Sequence, residues 1–171
     1  MRKAIDNSRQ DIEEIVAFLN LLLDKEYALY TKTRTMRWNI RGSNFHKLQT
    51  LIENQCEVLD TLINDIAEMV RTCGHFALGS LDEFMSITHI DEENQDFGNS
   101  AEIIQTLVSD HKTIIRRIRA EIPPISDKNI DVDTTDFIHG IIYQHEKMTF
   151  LLTSFSWFSG EIRWGKNRLN L

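Results

Sequence analysis

Arg37-Trp38-Asn39-Ile40-Arg41-Gly42-Ser43-Asn44-Phe45-His46-Lys47-Leu48-Gln49, then Glu53, then Asn64-Asp65-Ile66-Ala67-Glu68, is the stretch whose reading decides the fold. Gly42 and Ser43 punctuate two long segments of helical periodicity. Before them, Ile12, Ile15, Val16, Leu19, Leu22, Leu23 and Tyr30 recur at three and four. That spacing predicts a helix from about Ser8 to about Trp38, with Ser8 as a cap and Asp11 three residues on. After them, Leu48, Leu51, Ile52, Leu59, Leu62, Ile63, Ile66, Met69 and Val70 predict a second helix that stops near Gly74.

Residues 75–99 read as a long acidic connection carrying Asp91, Glu92, Glu93 and Asp96, with a short helix at Asp82 to Ile87. Gly98-Asn99-Ser100 leads into a third helix through Ile103, Ile104, Leu107, Ile114, Ile115 and Ile118. Pro123-Pro124 is expected to end it. A fourth helix starts near Asp133 or Thr134 and carries Phe137, Ile138, Ile141, Met148, Leu151, Leu152 and Phe155. No strand pattern or internal repeat is present. Four amphipathic helices with a long crossover between the second and third describe an all-α, ferritin-like four-helix bundle, with a short helix in the crossover. Residues 1–171 form one domain, with a short tail over 1–8 and a second over 159–171.

Hydrophobic residues make up 42% of the 171, too many for a disordered chain. No apolar run approaches the ~18 residues that span a bilayer. Met1 to Gln10 is polar and lacks the apolar core of a secretory signal, so a cytoplasmic protein is expected. The net charge of −7 argues against nucleic-acid binding by overall charge and is compatible with attracting cations. Cys56 and Cys73 would lie roughly 25 Å apart along one helix, too far for a disulfide.

On the helix wheel Gln49, Glu53, Asn64 and Glu68 fall at about 0°, 40°, 60° and 100°. They form one polar stripe, which by itself reads first as a solvated face. The surrounding motifs give it more meaning. Tyr30-Thr31-Lys32-Thr33, Trp38-Asn39, Gly42, Phe45, Asp65-Ile66-Ala67-Glu68, Gly74, Gly79-Ser80-Leu81-Asp82-Glu83-Phe84, Asp110-His111 and Asp136 to Leu152 together resemble the Dps family. These are mini-ferritins that protect bacterial DNA from iron and peroxide. The resemblance covers nearly the whole chain.

The resemblance implies a hollow dodecamer built from two-fold dimers, with ferroxidase centres at the dimer interfaces and iron as the bound metal. It also implies that three ligand positions have changed. Arg37 stands where the family has a histidine before Trp-Asn, Gln49 where a second histidine follows, and Asn64 where an aspartate begins the Asp-x-x-x-Glu pair. Glu53 and Glu68 remain as metal-binding carboxylates. An arginine has no free lone pair and repels a cation, while amide oxygens are weak ligands for iron. The expectation is that Arg37 sits where iron would sit and pairs with Glu53 or Glu68, across the dimer interface. His46, three residues before Gln49, is a possible substitute ligand and also reads as a lone surface histidine. Glu-x-x-His pairs of the classical ferritin type are missing: Glu68 is followed by Arg71 and Glu146 by Thr149.

Asp131, Asp133 and Asp136 cluster at the start of the fourth helix. They serve helix capping and dipole compensation, and by the resemblance they would line the acidic three-fold pores of a cage. DNA binding is weakly supported: Arg2, Lys3 and Arg9 precede the first helix, and Arg163, Lys166 and Arg168 lie in the C-terminal tail near Trp157, Phe158 and Trp164. No nucleophile–base pair, phosphate loop or zinc motif competes. The expected function is a Dps-like mini-ferritin subunit for iron binding, iron storage and protection from oxidative stress, with ferroxidase activity weakened or lost. The alternative is a non-catalytic cage that holds another cation, DNA or a protein, or co-assembles with an active paralogue.

Overall fold

The computed structural model describes residues 9–42, 44–80, 99–126 and 132–159. Four helices account for most of them: α1 Arg9–Asn39, α2 Phe45–Thr72, α3 Ser100–Ser126 and α4 Val132–Ser159. The expected Ser8 cap, the short helix at Asp82 to Ile87, Asp131, the tail 1–8 and all of the tail 159–171 except Ser159, which closes α4, lie outside the described residues.

Local chemistry sets the ends. α1 turns into α2 at Gly42, whose φ of +127° an L side chain rarely adopts. α2 closes on Gly74 at φ +84°, where Gly74 N–H donates to Arg71 O and His75 N–H to Val70 O. That is the paired closure of a left-handed C-terminal glycine. Asn99 caps α3: its Oδ1 accepts from Ala101 N–H at 3.0 Å and Glu102 N–H at 3.2 Å, and its amide donates to Glu102 Oε1. The expectation that Pro123-Pro124 ends α3 is corrected, because the helix continues to Ser126. Proline's fixed φ is helical. What is lost is the N–H to the carbonyls of Arg119 and Ala120, and both of those residues are exposed, a setting in which water can take the place of the missing donors.

Cross-links between helices fix the directions. The tight Gly42 turn makes α1 and α2 antiparallel, and Gln55 Nε2 donates to Met148 O across α2 and α4. Ser100 Oγ donates to Arg41 O, and Lys32 pairs with Asp110 at 2.7 Å, so α1 and α3 are antiparallel too. α2 and α3 therefore run the same way. The connection between them leaves near Asn20, whose Oδ1 accepts from Leu78 N–H, and must regain Arg41. Those two anchor points lie about 30 Å apart along α1. The length of the crossover follows from the topology.

The core is aliphatic, with Leu19, Leu23, Ile52, Leu59, Leu107 and Leu152 all fully buried. Buried polar side chains interrupt it, and three of them form a connected layer. Glu26 of α1, His145 of α4 and His111 of α3 each have no exposed surface. His145 Nε2–H donates to Glu26 Oε1 at 2.7 Å, and one proton bridges His111 Nδ1 and His145 Nδ1 at 2.9 Å. Burial first, and the neighbouring His145 second, push His111 down to about 3.

Two outcomes follow. Gly42→Ala should destabilise more than Gly74→Ala, by roughly 1–3 against about 1 kcal/mol in urea unfolding. A Cβ at Gly42 would meet Ser100 Oγ at 3.3 Å, and one at Gly74 meets nothing within 4 Å. His111, neutral in the fold, takes a proton near pH 6.5 only when unfolded. Stability should therefore fall as pH drops from 6.5 towards 3. His111→Gln should flatten that slope by up to about 1.4 kcal/mol per pH unit; an unchanged slope would contradict the assignment.

Candidate metal position and its electrostatics

The α1–α2 hairpin brings Arg37, in the last turn of α1, against Glu53 of α2, and the guanidinium donates to Glu53 Oε1. The pair forms within one chain. The expected pairing across a dimer interface is thus corrected for this contact, because the antiparallel hairpin already sets the two residues side by side. Arg37 is about a quarter exposed and Glu53 about half, so the bond contributes little to stability. Its consequence is for charge. A divalent cation 4 Å from a guanidinium meets about 8 kcal/mol of repulsion at an effective dielectric of 20. Arg37 therefore cancels what Glu53 would offer.

The remaining positions are further along α2. Gln49 is half-buried, and Asn64 and Glu68 are exposed. Asn64 spends its amide N–H₂ on Asp60 O, one turn back on its own helix, at 2.9 Å. His46 is exposed and packs its ring edge against Phe45 at 5.1 Å. Burial pushes the Cys56 thiol above its ordinary value, and the Arg37 and Arg34 guanidiniums offset this only partly. Cys56 is thus a thiol rather than a ligand-ready thiolate. Among the described residues, the buried Arg37 Nε–H has no partner. Trp38 is 62% exposed, with Arg34 stacked 5.2 Å above its ring. Asp133 and Asp136 both face solvent in the first turns of α4.

These residues do not fit an iron ion from one chain alone. Arg37 supplies a positive charge, and Gln49 and Asn64 supply only neutral oxygens. The Glu26–His145–His111 layer has the donor types of a bundle-core metal site but threads them in a line. His145 uses one ring nitrogen on Glu26 and the other on His111, so the three do not converge. Among the described residues no group of three or more His, Cys, Asp and Glu could hold a metal ion.

The spacing of motifs did not reveal this layer, but a signal was present. Glu26 lies four residues after Leu22, His111 four after Leu107 and His145 four after Ile141, each in register with an apolar stripe. A charged residue in a core register is the mark of a buried polar cluster.

The model of the ferritin-like domain matches residues 16–155. A low temperature-induced protein of Nostoc sp. strain PCC 7120 is 33% identical over 150 residues, covering 88% of this chain and 82% of that one. A DNA protection during starvation protein of Helicobacter pylori is 23% identical, covering 72% and 85%. Among solved structures, Dps from Mycobacterium smegmatis superposes with a TM-score of 0.81 at 17% identity, covering 95% of this chain and 92% of that one. The four-helix bundle therefore matches Dps structures, no helix among the described residues is long and apolar enough to cross a membrane, and the chain belongs to the ferritin family, with Dps proteins among its relatives in sequence and structure.

Proposed function

We propose that this chain is a subunit of a Dps-like dodecameric cage, cytoplasmic, acting in iron binding and storage and in oxidative-stress protection, with its ferroxidase activity weak or lost. The Arg37–Glu53 pair carries this reading. It places a fixed organic cation on a carboxylate that would otherwise ligate iron. The neutral pair leaves Glu68 as the one uncompensated carboxylate of the five positions, and a single carboxylate with amide neighbours binds ferrous ion poorly.

The same pair would hold the dimer interface together without metal. Among the described residues Arg37 Nε–H still lacks an acceptor, and Glu68 of a second subunit is the carboxylate best suited to it. Trp38 and Phe76, 62% and 85% exposed, give apolar area for that contact. Asp133 and Asp136, with Asp131, would supply the acidic three-fold entrance, so cations could still reach the interior. The second reading is a non-catalytic cage for another cation, DNA or a protein partner, and the same loss of ligands favours it.

Ferrous oxidation separates the outcomes. Purified wild-type particle, loaded anaerobically with Fe(II) and then given peroxide or oxygen, should form ferric species no faster than the protein-free control. The variant Arg37→His, Gln49→His, Asn64→Asp should oxidise at least tenfold faster, with iron co-eluting with the particle. Saturable oxidation by the wild type above the control would refute the loss of activity. An intact but inactive restored variant would favour the non-catalytic reading.

A further inference from the structure

A cavity of about 560 Å³ opens between α3 and α4, away from the α1–α2 position. Ser109, Lys112, Arg116 and Arg119 line it from α3, and Thr149 and Phe150 from α4. Lys112, Arg116 and Arg119 stand at the spacing that stacks side chains on one helix face. Arg119 is neutralised by Glu146 across the groove. Arg116 lies along α3, donating from Nε to Lys112 O at 3.3 Å and from its terminal nitrogen to Thr113 Oγ1 at 3.0 Å. Among the described residues, no carboxylate pairs with Lys112 or Arg116. The buried Thr149 Oγ1 has no hydrogen-bond partner, and Phe150 is 67% exposed. In a chain of net charge −7, this groove gathers uncompensated cations, a free hydroxyl and an open aromatic face.

We propose that the α3–α4 groove binds a phosphate group, either free phosphate or the phosphate of a nucleotide whose ring lies on Phe150. Lys112 supplies a point charge and Arg116 a fork of donors suited to phosphate oxygens. The flat base of a nucleotide would cover the exposed ring of Phe150, as stacked bases do in single-strand binding grooves. This reading is independent of the iron chemistry, because none of these residues takes part in the Arg37–Glu53 pair.

The test is calorimetric titration of the full-length protein in its native assembly, in phosphate-free buffer, with inorganic phosphate, adenosine monophosphate and adenosine. Saturable phosphate binding near one per chain is expected. It should weaken at least tenfold in Lys112→Gln/Arg116→Gln and weaken as salt rises. It should be unchanged in Arg117→Gln, because Arg117 lines a separate groove with Phe18 and Leu21. If the monophosphate binds tighter than phosphate and Phe150→Ala removes the difference, the ligand is a nucleotide. If the two bind equally, it is free phosphate. No saturable binding of either, an equal loss in Arg117→Gln, or adenosine binding that ignores Lys112 and Arg116 would overturn the proposal.

Discussion

A guanidinium held on a carboxylate repels a ferrous ion from that carboxylate. The Arg37–Glu53 contact is the constraint from which the functional account follows. It forms because Gly42 folds α1 back on α2 within a few residues, which sets the last turn of one helix beside the third turn of the next. The bond is half-exposed and worth little to folding. Its weight lies in occupancy, since a fixed positive charge replaces an exchangeable one at the position that the Dps resemblance assigns to metal.

The bundle stands without that pair. α1 runs antiparallel to both α2 and α3, which leaves α2 and α3 parallel and gives the ferritin-like topology. The interior is mostly aliphatic, and within it the Glu26–His145–His111 layer links α1, α3 and α4 through side chains with directional bonds. Sliding α1 or α3 by one residue would break one of these bonds, and sliding α4 would break both, in a medium where an unpaired polar group costs about 1–3 kcal/mol. The layer therefore specifies register more than it adds stability, as buried polar groups do in other helical assemblies.

Most of the fold was legible because helical spacing, glycine stops and an asparagine cap are local signals. Residues within four of one another carry them, and α1, α2 and α4 appear close to where the periodicity put them. The end of α3 was not legible, because proline forbids a hydrogen bond without forbidding the helical φ, and solvent exposure of Arg119 and Ala120 decides the outcome. At the metal position, residue chemistry identified Arg37 as an unfit ligand, and Glu53 was one of two partners left open. That the partner lies in the same chain depends on the hairpin geometry. The polar layer joins residues 34 and 119 apart in sequence, a distance no local pattern spans. The α3–α4 groove is likewise a product of packing, since Thr149 and Phe150 meet Lys112 and Arg116 only in the folded bundle.

The measurement that tests the central claim most directly is a crystal of the assembled protein soaked anaerobically in Fe(II), with diffraction collected on either side of the iron absorption edge. The account predicts no anomalous peak beside Glu53, with the Arg37 guanidinium still bonded to its carboxylate. An iron peak ligated by Glu53, with Arg37 turned away, would contradict it.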